Sequence, residues 1–273
     1  MNLFAKKFTG LLTAAALATA SCAGIALIRN NSYQTSQTLA LENRIYTEYE
    51  NDTQTLSIFG TGTVTGAEFK ALENKEDIRN IIAAKGITAI GENAFEGFSG
   101  AVSITLPDGL LKIEKGAFDS CLSLKGLRIP KSTEEIDPSG IFVNCPALSS
   151  VKVTQGNKSY ASSDGILYSS DMTTLIYYPQ GRSRSSFTVP QDVTTIISMS
   201  CPFLKSVTLP EGLKEIKAGA MAECSALGDV YISSENCVLS GKDIFPSAAV
   251  IHAPAGSTAE EYCRKNNIAF RRM

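Results

Sequence analysis

Apolar and polar residues alternate in short segments that recur along the chain from residue 87 onward. Residues 104–107 and 127–130 both have the form apolar-polar-apolar-Pro, and they lie 23 residues apart. Strict alternation is typical of a half-buried β-strand, and a proline can close a strand where no further ladder hydrogen bond is needed. The pattern therefore predicts one short strand in each copy of a repeating unit.

Each copy of the unit has further apolar residues at fixed positions before its strand. In residues 117–124, an Ala-Phe pair is followed by a cysteine and then a leucine, and other copies vary this phrase. One unit buries roughly six apolar side chains, which cannot offset an ordering cost of about 1.5 kcal/mol per residue. A period near 23 residues therefore indicates that each copy is one coil of a solenoid, stabilised by its neighbours.

Two segments outside the regular repeats carry their own signals. The dipeptide Asp164-Gly165 suits a tight hairpin turn, and it lies in a stretch, residues 155–190, that interrupts the repeats. Ser257 and Glu260 have the spacing of a capping box, which predicts that a helix starts there.

The repeated phrase Ile-Gly-x-x-Ala-Phe, then Cys, Leu and Ile-x-Leu-Pro, resembles the BspA-like leucine-rich repeat family of bacterial and protist surface proteins. The resemblance covers about residues 45–270. It implies a right-handed leucine-rich-repeat solenoid, mainly β with short helical turns. The implied organisation is an N-terminal β cap over 45–86, repeats over 87–254 with an elongated hairpin coil at 155–190, and a C-terminal helical cap over 255–273.

The amino-terminal segment predicts export or membrane anchoring. Lys6 and Lys7 precede 21 uncharged residues, 8–28, and residues 29–44 read as a polar linker. Three interpretations stay open: a cleaved signal peptide, a lipoprotein signal with lipidation at Cys22, and an uncleaved membrane anchor. Each of them places the rest of the chain outside the cytoplasm, secreted or at the cell surface, with membrane contact through this segment only.

Composition limits the chemistry that the chain can carry. The 25 basic and 27 acidic residues give a net charge of −2, which argues against nucleic-acid binding. His252 is the only histidine, and a triad with Ser206 and Asp229 is disfavoured because serine is abundant and the coincidence carries little weight. We therefore expect no enzymatic activity, no metal site and no cofactor.

The cysteines follow the repeat rather than any zinc-binding spacing. Four of them occupy the same position of the unit, which predicts an internal column of buried free thiols: Cys121, Cys145, Cys201 and Cys224. Cys237 and Cys263 lie near the carboxyl end, outside the repeated position. The sequence does not decide whether a disulfide joins them.

The polar residue at the centre of each strand predicts an outward-facing column. Its members are Thr105, Arg128, Lys152, Thr188, Thr208, Tyr231 and His252, and we expect Tyr177 to join them from the inserted coil. Arginine and tyrosine are enriched where proteins bind partners, although any solenoid must place polar residues on its surface. The candidate binding residues are Arg128, Lys152, Tyr177, Thr208 and Tyr231.

These observations favour an exported, non-enzymatic protein whose repeat face binds a protein or glycan partner at the cell surface. The family resemblance implies adhesion to host extracellular matrix proteins. The alternative is a structural envelope or spacer protein without a dedicated ligand.

Overall fold

The computed structural model describes residues 45–70 and 72–273. The predicted leader, the linker and Cys22 lie outside the described residues. Within the described part, no helix has the length and apolar character needed to cross a membrane.

The described chain forms a β-solenoid of about nine turns with a single C-terminal α-helix. Its elements are β1 (Tyr46–Glu50), β2 (Thr55–Phe59), β3 (Gly62–Val64), β4 (Asn80–Ala83), β5 (Ile87–Ile90), β6 (Ser103–Thr105), β7 (Lys112–Ile113), β8 (Gly126–Ile129), β9 (Glu135–Ile136), β10 (Ser150–Val153), β11 (Tyr160–Ser163), β12 (Ile166–Ser169), β13 (Thr174–Tyr177), β14 (Ser186–Thr188), β15 (Thr195–Ile196), β16 (Ser206–Leu209), β17 (Glu215–Ile216), β18 (Asp229–Ile232), β19 (Val238–Leu239), β20 (Val250–Ala253), α1 (Thr258–Asn266) and β21 (Ala269–Arg272). Short 3-10 helices at Gly66–Phe69 and Lys75–Asp77 precede the repeats.

The strands form two walls. A regular turn adds one strand to the front wall and one strand to the second wall. The front wall consists of two sheets, ordered β1-β2-β4-β6-β8-β10 and β14-β16-β18-β20-β21. The second wall consists of the sheets β3-β5-β7-β9 and β11-β12-β13-β15-β17-β19. Neighbouring repeat strands pair in parallel, as Arg128 with Lys152 and Thr208 with Tyr231, so equivalent residues of successive turns lie side by side.

The alternating strand pattern buries two residues of each front-wall strand. In β8, Leu127 and Ile129 are buried while Arg128 between them is exposed, as the sequence predicts. The same division holds in β16, where Val207 and Leu209 face the core. The prediction of a leucine-rich-repeat solenoid is thus confirmed.

A column of aromatic rings runs through the core of the first half. Phe69, Phe95, Phe118 and Phe142 are buried, and their successive ring centroids are 5.7, 5.8 and 5.5 Å apart. Tyr177 continues this column at 4.8 Å from Phe142. Each turn therefore contributes one ring, and each ring packs on the ring of the turn before it.

The placement of Tyr177 in the outward column was wrong. Tyr177 lies in β13 of the second wall and is only 3% exposed. The inserted coil buries five consecutive residues, 175–179, so the alternation that assigns inward and outward positions elsewhere does not hold there. Its ring is part of the core, which excludes it from direct contact with a partner.

The predicted column of buried thiols is confirmed. Cys121, Cys145, Cys201 and Cys224 are free and buried. Each Sγ lies within hydrogen-bond distance of a carbonyl oxygen from an earlier segment, for example 3.1 Å from Cys145 to Phe118 and 3.1 Å from Cys224 to Met199. Burial raises the pKa of Cys145 and of Cys224 to about 12, which keeps both thiols protonated.

No disulfide joins Cys237 and Cys263, the pairing that the sequence does not decide. Both residues are free, and both are buried although they lie outside the repeated position. Cys263 belongs to α1, which packs its buried residues against the last turns of the solenoid. The capping signal explains where α1 begins, since Ser257 Oγ accepts a hydrogen bond from the Glu260 amide at 3.3 Å.

We predict that Phe118→Ala lowers the free energy of unfolding by about 3–5 kcal/mol, because it leaves a cavity between two stacked rings. Denaturant unfolding followed by circular dichroism measures this loss. Leu122→Ala is the matched control, since Leu122 is 41% exposed and its truncation should cost less than about 1 kcal/mol. A similar cost for the two variants would contradict the assignment of the repeat frame.

We also predict that none of the six described cysteines reacts quickly with iodoacetamide in the folded protein. All six should react after unfolding, with peptide mass spectrometry identifying each site. At pH of about 8, labelling of folded Cys145 and Cys224 should be far slower than that of an exposed thiol, because burial blocks access and their raised pKa of about 12 keeps the reactive thiolate scarce. Fast native labelling of Cys121 or Cys145 would show that the column is not interior.

Candidate functional site

The outer face of the front wall is the surface to which the sequence assigns binding. Its central residues form two separate runs rather than one column. The first run is Ile82, Thr105, Arg128 and Lys152, and the second is Thr188, Thr208, Tyr231, His252 and Arg271. Four of the five candidate residues therefore share this face, and Tyr177 does not.

The inserted coil separates the two runs. Beside β10, where a further parallel strand would continue the sheet, lies the hairpin of β11 and β12. The Val151 amide donates to the Gly165 carbonyl at 2.8 Å, and the Val153 amide donates to Ser162 Oγ at 2.9 Å. The hairpin thus satisfies the amides on this edge of β10, and the front wall resumes only at β14.

A cluster of charged residues lies at the break in the front wall, which is the place between β10 and β14 where the inserted coil separates the two runs. Asp164 Oδ2 accepts hydrogen bonds from Arg182 Nη2 at 2.8 Å and forms an ion pair with Arg184 Nη2 at 2.9 Å. Arg182 Nη1 also donates to the Asp164 backbone carbonyl. The Arg182 side chain is only 9% exposed, and its Nε is buried without a hydrogen-bond partner.

Two glycines allow the chain to come this close. Gly165 has φ of +74°, and a Cβ there would lie 2.7 Å from Ser150 Oγ and 3.2 Å from Arg182 Nη1. Gly181 packs so tightly on the preceding turn that a Cβ would lie 2.7 Å from the Ala147 carbonyl carbon. Side chains at either position would displace the arginine from its place under the hairpin.

The break opens into a cleft of about 480 Å³ at the outer face. Its polar and charged lining is supplied by Arg128, Ser150, Lys152, Ser162, Asp164 and Arg182. Neither the Arg128 side chain nor the Lys152 side chain has a hydrogen-bond or ion-pair partner within residues 45–70 and 72–273. These two cations lie side by side on adjacent strands, where like charges repel each other.

Charges on the second wall behave differently, because they pair with each other. Lys112 Nζ lies 3.5 Å from Glu114 and 3.3 Å from Glu135, and Lys217 Nζ lies 2.8 Å from Glu215. Such exposed pairs contribute little to stability. They do show that Arg128 and Lys152 differ from Lys112 and Lys217 of the opposite wall, since their side chains have no ion-pair partner in the described part of the chain.

The second run contains an aromatic pair. The rings of Tyr231 and His252 stack with centroids 4.5 Å apart, and His252 Nε2 lies 2.7 Å from Asp229 Oδ1. Ser206 pairs with Asp229 on the far side of β18 from His252. The serine and the histidine are thus two strands apart, roughly 9.6 Å at the usual strand spacing, which is too far for the proton transfer of a triad.

The described residues contain no group of three or more histidine, cysteine, aspartate or glutamate side chains placed to hold a metal ion. The polar groups of the outer face include hydroxyls, cations and the carboxylates of Asp164 and Asp229. Such a set can bind a partner through hydrogen bonds and charge.

Stacked parallel turns with an outward polar face define a leucine-rich-repeat solenoid. The family model "BspA type Leucine rich repeat region (6 copies)" matches residues 67–180 and 177–251. The chain belongs to the BspA-type leucine-rich repeat family, as the repeated phrase indicates. No curated protein matches the chain.

Two solved structures show the same fold. The pneumococcal vaccine antigen PcpA is 22% identical with a TM-score of 0.52, and the match covers 66% of this chain and 52% of that one. A leucine-rich cell surface protein from Faecalibacterium prausnitzii A2-165 is 24% identical with a TM-score of 0.52, covering 71% and 60%. The chain thus matches little more than half of the length of either relative.

The sequence reasoning missed Arg182 and Arg184 as members of the site. The available signal was an Arg-x-Arg segment directly after Gly181, in a stretch where the repeat fails. That signal does not reveal the partner, because Asp164 is 18 residues away in sequence and belongs to a different arm of the inserted coil.

Proposed function

We propose that this is an exported, non-enzymatic protein that binds a protein or glycan partner at the cell surface through the outer face of its front wall. The anchors are Arg128 and Lys152 in the first run and Thr208 and Tyr231 in the second. The observation that carries the proposal is the pair of adjacent, unpartnered cations on a face whose backbone is fully ordered by its neighbours.

The physical argument rests on ordering cost. Strand pairing fixes the backbone of these residues, so that binding orders little beyond the side chains themselves, which favours affinity. Tyrosine and arginine then concentrate the binding energy, since tyrosine gives a large contact area with two rotatable bonds to fix and arginine offers a planar group with several hydrogen-bond donors. A spacer without a ligand needs only solubility on this face, and it does not explain why Arg128 and Lys152 adjoin without a counterion.

The surface location rests on the leader and on the family. PcpA is a vaccine antigen and the Faecalibacterium prausnitzii relative is a cell surface protein. Adhesion to host extracellular matrix protein is the specific form of the proposal, and it comes from the family resemblance.

We predict that replacing Arg128, Lys152 and Tyr231 by alanine abolishes partner capture and leaves the unfolding midpoint nearly unchanged. Each anchor truncation should weaken binding about thirtyfold, equivalent to about 2 kcal/mol. The measurement compares the matrix proteins and glycans that the immobilised full-length protein and its variant retain, quantified by mass spectrometry.

The matched control variant carries alanine at Lys85, Lys214 and Val238. These residues are exposed, they lie outside the front wall, and they also remove two cations and one apolar side chain. Capture should survive in this control. Equal retention by the parent, the anchor variant and the control would favour the spacer function instead.

For the leader, we predict that the native protein is recovered with the envelope or the medium. Mass spectrometry of the mature amino terminus distinguishes the three modes. A terminus at Ser21 indicates secretion, a lipidated Cys22 indicates a lipoprotein, and an intact leader indicates an anchor. A soluble full-length form in the cytosol would contradict all three.

A further inference from the structure

The cleft at the break in the front wall has a more specific chemistry than a general binding face. We infer that this cleft, between Lys152 and the Asp164-Gly165 turn, binds an acidic sugar residue of a glycan. The inference rests on the proposed function, because it names the class of ligand for the first run of the outer face.

The first argument is an excess of positive charge. Arg128, Lys152 and Arg182 line the cleft, and Arg184 lies beside it, whereas Asp164 is the one acidic residue in the lining. The chain as a whole carries a net charge of −2, so this cluster is a local feature and not a consequence of a basic protein. A concave site lined by one sign of charge attracts the opposite charge.

The second argument is the buried arginine. Arg182 is nine-tenths buried, and burial of a charge is costly unless a counterion and hydrogen bonds compensate it. Its one counterion, Asp164, is shared with Arg184 through the same oxygen, Oδ2. An anion entering the cleft would supply the missing negative charge to Arg182, Lys152 and Arg128 together.

The remaining groups favour a sugar over an acidic peptide. Peptides commonly add a strand to an open sheet edge, but the hairpin already occupies the β10 amides of Val151 and Val153. The lining instead offers the hydroxyls of Ser150 and Ser162, and Asp164 Oδ1 has no partner within the described chain. A uronate residue matches this set, because its carboxylate meets the cations and its ring hydroxyls can donate to Asp164.

The geometry is present before any ligand arrives. Gly165 and Gly181 fix the hairpin and the arginine segment by close backbone contact, and the Asp164 carboxylate holds both guanidinium groups. Ser162 accepts from the Val153 amide, which leaves its own hydroxyl hydrogen free to donate into the cleft. A prearranged donor set reduces the entropy lost on binding.

The test is calorimetric titration of the purified full-length protein with hexagalacturonate at low salt. Cellohexaose serves as the neutral sugar of equal length, and hexaglutamate serves as the acidic peptide. We expect binding of hexagalacturonate alone. The double variant Arg128→Gln with Lys152→Gln should weaken it about tenfold or more for each cation lost, since each removes a charge-assisted hydrogen bond.

The matched control is Lys85→Gln with Lys214→Gln, which removes the same charge outside the cleft and should bind as the parent does. Equal weakening in the control would overturn the inference, because attraction would then come from overall charge. Equal or tighter binding of hexaglutamate would overturn the sugar assignment in favour of an acidic peptide.

Failure of this inference and failure of the proposed function give different results. If no acidic sugar binds while the immobilised protein still captures a partner that depends on Arg128, Lys152 and Tyr231, the sugar assignment is overturned and the binding face remains. If that capture is also absent, the proposed function fails with it.

Discussion

One turn of this solenoid cannot bury its own apolar face, and the whole structure depends on neighbouring turns doing so for it. Interior front-wall strands such as β8 and β18 pair in parallel with the strands before and after them. Within the core, each phenylalanine ring rests on the ring of the preceding turn, and each repeat cysteine directs its thiol to an earlier carbonyl. Stability is therefore a property of contacts between turns, and the ends and interruptions of the stack need their own solutions.

The inserted coil is one such solution. A sheet that stopped at β10 would leave a row of amides without partners, which is costly where they are buried and prone to aggregation where they are exposed. Gly165 and Ser162 accept those hydrogen bonds instead. In the core, the same coil continues the aromatic column, since the Tyr177 ring packs on the Phe142 ring at 4.8 Å. One insertion thus closes the first sheet of the front wall and carries the aromatic column forward.

Sequence reasoning succeeded where a residue's environment is set by its position in the period. Arg128 is outward and Cys145 is inward because every neighbouring turn repeats the same alternation. It failed at Tyr177, whose neighbours on both sides are also buried, so no local pattern marks the side on which the ring lies. The link between Asp164 and Arg182 was equally out of reach, since it depends on how two arms of an unrepeated segment fold against each other.

Regular turns and the inserted coil form different kinds of recognition surface. Regular turns place similar side chains in similar surroundings, so a run such as Thr188 and Thr208 offers a repeated and shallow surface. At the break, the period no longer dictates the packing, and a concave space forms with a buried guanidinium group beneath it. A repeat interrupted once therefore has both an extended face and one distinctive site. Because the flanking turns fix the positions of Arg128 and Lys152 at its rim, the irregular coil can supply specificity without having to supply stability as well.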